Sequence, residues 1–396
     1  MIMLINPKIH LRKTICIFLS TLCLPVVADP IKLGSGFLLS PAVGVDLRYD
    51  DNINNAPEDG VESYLMLISP RLALEYDRGT AIYSLQYSLS HGDYLDTDRD
   101  SFTDQELTAG VDWELNQRHS LALGAAYLDI NEEFNDQVAE DLDSLIFERD
   151  RYRQSGVFVN YDYGAEGARG HLGVTLGTND RNYIEELTSP DRRTTYGDAL
   201  FSFGITGKTA FLTQLEARDI RYEEFATPIP NRDNREAALL LGAEHDTEQL
   251  TVNLLAGLVR KDFDNPEIGQ YQRPRWTGTL AWRPTELSEL TLILERRPVE
   301  SFGTFSNFVD AKSGFLGWQH SWSEKVRTNT SFRYTRADFA GTDLRENIRR
   351  LNLTFFYQLR PWIDVRTGIS SLEQGANAET LSYERNQVFL GFDAAY

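Results

Sequence analysis

The sequence predicts an all-β fold, an antiparallel transmembrane β-barrel closed by 18 strands. Three observations predict it: apolar residues alternate with polar ones, long polar loops alternate with tight turns, and the final strand ends on an aromatic residue. The rhythm of loops and turns indicates 18 strands, with 16 as the alternative. Each strand and connection then takes about 20 residues, the length that tilted membrane strands with loops need.

Helical membrane spans are excluded by the distribution of apolar residues. Hydrophobic residues make up 41% of the chain, but after the N-terminal region they never form a run long enough for a spanning helix. A soluble β-sandwich is the alternative, since its strands alternate too. The regular succession of long loops and tight turns favours the barrel.

Alternation is clearest in four segments, each with apolar residues on one face and polar residues on the other. These segments are residues 107–115, 211–218, 327–334 and 363–370. Pro70 lies within the second predicted strand, and it predicts a β-bulge where the apolar phase shifts.

Nine long connections interleave with eight tight turns. The long connections centre on 51–61, 93–104, 132–150, 180–194, 223–235, 262–271, 297–306, 337–345 and 373–381. The tight turns lie near 77–79, 116–118, 164–167, 207–208, 247–249, 283–286, 323–325 and 360–362. Tryptophans accompany these turns and predict an aromatic girdle at one membrane interface: Trp113, Trp282, Trp322 and Trp362.

The last ten residues predict a strand that closes the barrel and carries an assembly signal. Val388, Leu390 and Phe392 share one face with Ala394 and Tyr396. A glycine followed by apolar residues at the third-last and last positions is the signal that outer-membrane barrels present to their assembly machinery. The residues predicted to form it are Gly391, Phe392, Ala394 and Tyr396.

The N-terminus predicts a cleaved signal peptide over residues 1–28, which leaves residues 29–396 as one barrel domain. A basic segment with Lys8, Arg12 and Lys13 precedes a short apolar stretch, and Val26 and Ala28 supply the small residues before the cut. Both cysteines, Cys16 and Cys23, lie in this leader. Thiol chemistry and cysteine-ligated metals are therefore excluded from the mature chain.

The charge excludes nucleic acid as a partner. The formal net charge is −20, and the acidic residues concentrate in the first two thirds of the chain. Such a surface fits divalent cations and lipopolysaccharide of a bacterial outer membrane. We therefore expect outer-membrane lipid, lipopolysaccharide and the barrel-assembly machinery as partners.

No catalytic or metal site is predicted, and no cofactor. The six histidines form no Ser/His/Asp triad and no metal-ligand spacing. The loop Asp96–Asp100 has the acidic spacing of a calcium loop, but Ser101 and Leu107 stand where glycine and glutamate are needed. A solvated acidic loop is the preferred interpretation.

Ten charged residues fall on the polar face of predicted strands and are expected to line the lumen. A charge facing lipid at mid-depth costs roughly 2–4 kcal/mol for Arg or Lys, so these residues must face water or one another. They either form a structural ion-pair network or set a selectivity field, acidic on early strands and more basic on late ones. They are Asp112, Glu114, Asp162, Glu216, Arg218, Glu295, Arg327, Arg333, Asp364 and Arg366.

The longest loop, 132–150, has two interpretations. Eight acidic residues indicate a solvated external loop, whereas Val138, Leu142 and Phe147 among its apolar residues favour an inward fold that narrows the pore.

The opening segment Asp46-Leu-Arg-Tyr-Asp-Asp-Asn-Ile53 resembles the start of the β-barrel porin-2 family. The loop rhythm and the ending extend the resemblance along nearly the whole mature chain. The resemblance implies an outer-membrane barrel of a kind that often accompanies exopolysaccharide synthesis and export.

The leading functional hypothesis is an outer-membrane channel for saccharides that acts as a conduit in exopolysaccharide export, with polysaccharide and periplasmic export components as partners. The first alternative is a general or cation-preferring diffusion porin. The second is a structural or adhesive barrel with a plugged lumen.

Overall fold

The computed structural model describes residues 30–97, 101–131, 151–184, 191–223, 231–301 and 306–396. Within these ranges the only helical element is one 3-10 turn, Glu379–Leu381. Among these residues no helix is long and apolar enough to cross a membrane.

Eighteen strands form the barrel, and a short strand β1 (Ile31–Gly34) precedes them and pairs with β2. The first nine are β2 (Phe37–Asp50), β3 (Ser63–Asp77), β4 (Ala81–Tyr94), β5 (Phe102–Asn116), β6 (His119–Asn131), β7 (Arg151–Tyr163), β8 (Gly170–Tyr183), β9 (Arg192–Gly204) and β10 (Thr209–Tyr222). The others are β11 (Asn234–Asp246), β12 (Leu250–Phe263), β13 (Gln270–Thr285), β14 (Ser288–Glu300), β15 (Phe308–Ser321), β16 (Val326–Phe339), β17 (Arg345–Arg360), β18 (Ile363–Ala376) and β19 (Tyr383–Ala395).

Every barrel strand pairs antiparallel with the next, and the last strand pairs with the first. β19 lies beside β2 with Leu390 opposite Leu47. The backbone N–H of Tyr396 continues this seam by donating to the carbonyl of Pro41 at 3.1 Å. Closure removes every free sheet edge of the barrel. The predicted count of 18 strands is confirmed. Nine connections at one end and eight at the other follow from it, but their lengths overlap, since five residues join β16 to β17 and six join β7 to β8.

The two faces of the barrel differ in composition. One face carries the large exposed apolar side chains, such as Leu390 and Phe392. The other carries contacts between strands that are not neighbours, such as Arg366 on β18 with Asp46 on β2 at 2.8 Å. Such contacts require a concave surface on which side chains converge, so this second face is the lumen.

Tryptophans lie where the loop rhythm predicts them. Trp113, Trp282, Trp322 and Trp362 are about half exposed, with 47–59% of each residue accessible, and each lies at or beside a short turn. They mark the interface at the short-turn end of the barrel.

The predicted bulge at Pro70 is wrong. β3 keeps one register with β4 on either side of it, Ile68 opposite His91 and Arg71 opposite Ser88. The missing N–H of proline interrupts the ladder locally without inserting a residue. Exposure also alternates without a phase shift from Ser63 to Leu72.

The wall bends sharply between β10 and β14, a region that we call the corner. Leu212 and Leu240 face the lumen there and are fully buried, because neighbouring inward side chains cover them. Gly257 permits the bend, since a β-carbon at this position would lie 1.8 Å from the carbonyl oxygen of Leu239. The corner is therefore packed like a protein core rather than open like a channel wall.

Candidate functional site: the barrel lumen

The structure places all ten predicted lumen residues on the inward face of their strands. Each lies in phase with the half-buried polar positions and out of phase with the exposed apolar ones. They belong to three regions with different surroundings: an acidic wall on β5–β9, the corner on β10–β14, and a wall on β16–β19 and β2 that we call the arginine wall.

The acidic wall consists of Asp112, Glu114, Asp162 and Asp198. Glu114 and Asp162 lie opposite Ser120 from its two sides, so one row of the wall carries two carboxylates around a hydroxyl. Gly173 leaves space beside Asp162, whose Oδ1 would be 2.9 Å from an added β-carbon. Within the described part of the chain none of these four carboxylates forms an ion pair. Arg218 on β10 attracts the carboxylate of Asp198, whereas Asp112, Glu114 and Asp162 present negative charge to the lumen without an ion-pair partner among the described residues.

The corner neutralises its own charges across strands. Arg275 on β13 binds Glu216 on β10 at 3.0 Å and lies 3.5 Å from Glu295 on β14. Arg297 contacts Glu295 at 3.2 Å. Only a sharp bend brings β10 and β14 close enough for one guanidinium to reach both.

A second group seals the corner nearer the long loops. Lys261 is 1% exposed, and its ammonium binds Glu236 at 2.7 Å, Asn234 at 2.8 Å and Glu300. Tyr222 donates its hydroxyl to Glu300 as well. A lysine buried to this degree is stable only because two carboxylates and an amide surround it.

The arginine wall carries six inward guanidinium groups: Arg48, Arg327, Arg333, Arg350, Arg366 and Arg385. Carboxylates of the closing strands contact three of them, and one of these is Arg48, which lies 3.4 Å from Asp46 on its own strand. Arg366 binds Asp393 at 2.7 Å and Asp46 at 2.8 Å, and Arg385 binds Asp50 at 2.6 Å. The Arg366–Asp46 and Arg385–Asp50 bonds link β18 and β19 to β2 and add to the backbone ladder at the seam.

Aromatic rings support the guanidinium groups of this wall. The Arg327 guanidinium lies 4.3 Å from the ring centre of Phe356, and that of Arg333 lies 5.1 Å from Phe315. Phe389 lies between Arg48 and Arg366, at 5.8 and 5.6 Å. Stacking of this kind holds a planar guanidinium flat against the wall.

Gly391 has a packing role that its place in the predicted assembly signal does not reveal. A β-carbon there would lie 2.0 Å from Oδ1 of Asp46 and about 3.1 Å from Arg366. The glycine makes room for the ion pairs at the seam. Phe392 and Tyr396 instead point outward and are exposed, and their role in assembly stays a prediction.

Sequence reasoning missed the partners of the corner. Lys261, Arg275 and Glu300 were not among the ten predicted residues, because period-two alternation reports a face and not which strands approach one another. One signal pointed to this place: residues 237–243 are the longest apolar run of the mature chain, and a strand apolar on both faces needs a packed inner side.

Glu346 on β17 is also absent from the prediction. It is fully buried beside Ala337, and neither carboxylate oxygen has a hydrogen-bond partner among the described residues. Its outward neighbours Arg345 and Asn347 are polar, so this level of β17 lies above the lipid-facing band. Burial raises the pKa of Glu346 to about 7.

Two other predictions concern residues that the structure leaves largely undescribed. The loop 132–150 lies outside the described residues, and so do Asp98 and Asp100 of the calcium-like loop. In the ranges that the structure does describe, no group of three His, Asp or Glu residues could hold a metal ion.

Solved outer-membrane porins share this fold. OpdK of Pseudomonas aeruginosa, crystallised with vanillate, is 12% identical at a TM-score of 0.51, over 90% of this chain and 99% of that one. OccK2 (OpdF) of the same organism, in complex with glucuronate, is 12% identical with a TM-score of 0.51, and the match covers 93% of this chain and 100% of that one. OccAB4 of Acinetobacter baumannii is 9% identical with a TM-score of 0.50, and the match covers 92% of this chain and 99% of that one. At these identities the likeness extends to the fold alone.

No curated protein matches the sequence. The family described as Putative beta-barrel porin 2 matches residues 155–396, more than half of the chain. That range contains the corner and all of the arginine wall except β2. The chain thus belongs to the family of that description and is a porin-like β-barrel channel of the bacterial outer membrane.

Proposed function

We propose that the barrel is a saccharide channel that acts as a conduit in exopolysaccharide export. The observation that carries the proposal is the pairing of aromatic rings with guanidinium groups on the arginine wall. Phe315, Phe356 and Phe389 lie inward on β15, β17 and β19, each beside an arginine of a neighbouring strand.

This pairing suits a sugar ring. A pyranose has faces of C–H groups that pack on an aromatic ring, and hydroxyls around its edge that accept hydrogen bonds. An apolar ring with a few fixed polar groups is how proteins orient small polar ligands. A guanidinium held by a ring and a carboxylate keeps N–H donors in reserve for such hydroxyls.

The spacing of these pairs supports movement rather than tight binding. The Arg327–Phe356 and Arg333–Phe315 pairs lie about 20 Å apart along β16, so a chain of sugars would meet similar weak contacts one after another. Conduction needs sites that bind well enough to admit a solute and weakly enough to release it. The export step rests in addition on the association that the family resemblance implies.

A diffusion porin with cation preference is the second candidate, and the acidic wall favours it. The carboxylates of Asp112, Glu114 and Asp162 have no compensating cation among the described residues, so they would attract small cations. A porin of this kind needs no aromatic contacts.

Planar-bilayer recording with oligosaccharide block separates the two candidates. Maltooligosaccharide added to one side should interrupt the wild-type current, and Phe356→Leu with Phe389→Leu should shorten the interruptions several-fold. Phe355→Leu with Phe332→Leu, which changes outward rings on β17 and β16, is the matched control and should leave them unchanged. Interruptions of equal length in both variants would show that the inward aromatic rings do not contact the sugar, and would favour the diffusion porin. A wild type without conductance would favour a plugged barrel.

A further inference from the structure

The outer face of the barrel carries a positive patch on a strongly acidic protein. It lies on β14–β17 and contains Arg296, Lys312, Arg336 and Arg345 with two carboxylates, Asp310 and Asp338. Four cations against two carboxylates leave an excess of two positive charges. The formal net charge of the whole chain is −20, so this local excess runs against its general character.

Three of the cations share a single carboxylate. Asp338 lies 2.8 Å from Lys312, 3.2 Å from Arg336 and 3.5 Å from Arg345. One carboxylate cannot neutralise three cations. Arg345 is 63% exposed, so its guanidinium has donors directed to the surroundings of the barrel.

Other ion pairs of the outer face do not share this excess. Arg193 pairs with Asp180, and Arg260 pairs with Asp262, one to one. Around Asp219, two arginines meet three carboxylates. Asp129 contacts two arginines, Arg151 and Arg153, which leaves an excess of one positive charge. Among the described residues the patch on β14–β17 is therefore the most positive group on this face.

The height of the patch identifies what surrounds it. Along the outer face of β16, Phe332 and Tyr334 are exposed, and Arg336 and Asp338 follow toward the long-loop end. Tyr334 donates to Asn347 at 2.8 Å, which marks the change from lipid to polar surroundings. Arg336 lies about 7 Å further along the strand. Long loops are extracellular in such barrels, so the patch lies at the headgroup level of the outer leaflet.

We propose that this patch binds the phosphate groups of lipopolysaccharide. A phosphate on a lipid anchor carries one to two negative charges and several acceptor oxygens, which suits guanidinium groups that bind two oxygens at once. Arg336, Arg345 and Lys312 surround one site for it beside Asp338. Clusters of Lys and Arg side chains at a membrane surface attract anionic lipid headgroups in the same way. The pair Arg349–Glu373 bounds the site on one side.

The test uses the full-length barrel refolded without lipopolysaccharide. Lipopolysaccharide with intact lipid A phosphates, and the same material after enzymatic dephosphorylation, are titrated against it, and the thermal unfolding of the heat-modifiable barrel is followed. We expect the phosphorylated form to bind at least tenfold more tightly, with affinity that falls as salt rises.

Lys312→Gln with Arg336→Gln and Arg345→Gln should abolish that preference. Arg193→Gln with Arg235→Gln, on β9 and β11 of the same outer face, is the control and should retain it. If the triple variant does not fold, Arg345→Gln alone should weaken binding several-fold, since its exposed side chain contributes little to packing. Equal binding of the two lipopolysaccharides, or equal loss in the patch and control variants, would overturn the proposal.

Discussion

The corner and the acidic wall are both rich in inward carboxylates, but they differ in what surrounds those carboxylates. In the corner, Glu216, Glu236 and Glu300 each meet a cation from another strand, and Lys261 is sealed from water. On the acidic wall, Asp112, Glu114 and Asp162 have no ion-pair partner among the described residues. The bend of the corner brings cations to its carboxylates, whereas the carboxylates of the acidic wall stay exposed to the lumen.

Residue type alone therefore does not assign a lumen charge to structure or to transport. A sealed ion pair contributes little field outside itself, and its loss leaves a buried charge. A carboxylate on an open wall costs little to remove and acts on every ion that passes. We therefore expect substitutions in the corner to change stability and substitutions on the acidic wall to change selectivity.

The largest effect is expected at Lys261. Lys261→Met would leave Glu236 and Glu300 buried without their cation, which should lower the free energy of unfolding by roughly 3–5 kcal/mol. Arg260→Gln is the matched control on the same strand, because Arg260 points outward, is 60% exposed and, within the described ranges, forms its ion pair with Asp262 alone. It should cost less than about 1 kcal/mol. Urea unfolding of the lipid-reconstituted barrel, followed by tryptophan fluorescence, measures both.

Similar losses of unfolding free energy in the two variants would show that the buried ion pairs of the corner contribute no more to stability than the exposed pairs. The reversal potential of the Lys261→Met channels that do fold should stay near the wild-type value. A large shift in it would mean that the corner contributes to the pore.

Glu346 is a buried carboxylate that, unlike those of the corner, has no ion-pair partner among the described residues. Burial raises its pKa to about 7, so the folded barrel binds a proton there that the unfolded chain releases near its ordinary pKa of about 4.5. Stability contributed by this group is therefore present at low pH and is lost as pH rises through that window. The loss should be about 3 kcal/mol.

Glu346→Gln should remove this part of the pH dependence. We expect the variant to exceed the wild type in stability at about pH 8 and to match it at about pH 5. Urea unfolding at both pH values measures the difference. A constant difference across the range would show that burial of Glu346 does not control its ionisation.

A smaller effect is expected from the bend itself. Gly257→Ala places a methyl group against the carbonyl of Leu239, and forcing extra volume into a packed region costs about 1–3 kcal/mol. Gly375→Ala is the control, since nothing lies within 4 Å of its added β-carbon. Yields of heat-modifiable barrel and urea midpoints should fall for the first variant only. Equal values would mean that the corner relaxes at no cost.

The sequence predicted the repeating parts of this molecule and missed its irregular ones. Strand number, loop rhythm and the inward phase of residues such as Asp112 and Arg366 follow from period-two alternation, because a closed antiparallel barrel gives every strand the same two environments. The bend at Gly257 and the pairs of Lys261 depend on contacts between strands far apart in sequence. The prediction of a bulge at Pro70 was wrong for a local reason: proline removes one hydrogen bond, which a strand can lose without a bulge.

We infer that the open walls, and not the corner, set the electric field in the lumen. β5 and β16 are separated by six strands on the shorter path around the barrel, so the acidic wall and Arg327 and Arg333 act from different sides. Reversal potentials in planar bilayers under a salt gradient test this most directly. Asp112→Asn with Glu114→Gln should shift the preference toward anions, and Arg327→Gln with Arg333→Gln toward cations. Unchanged reversal potentials in both variants, with normal conductance, would contradict the account.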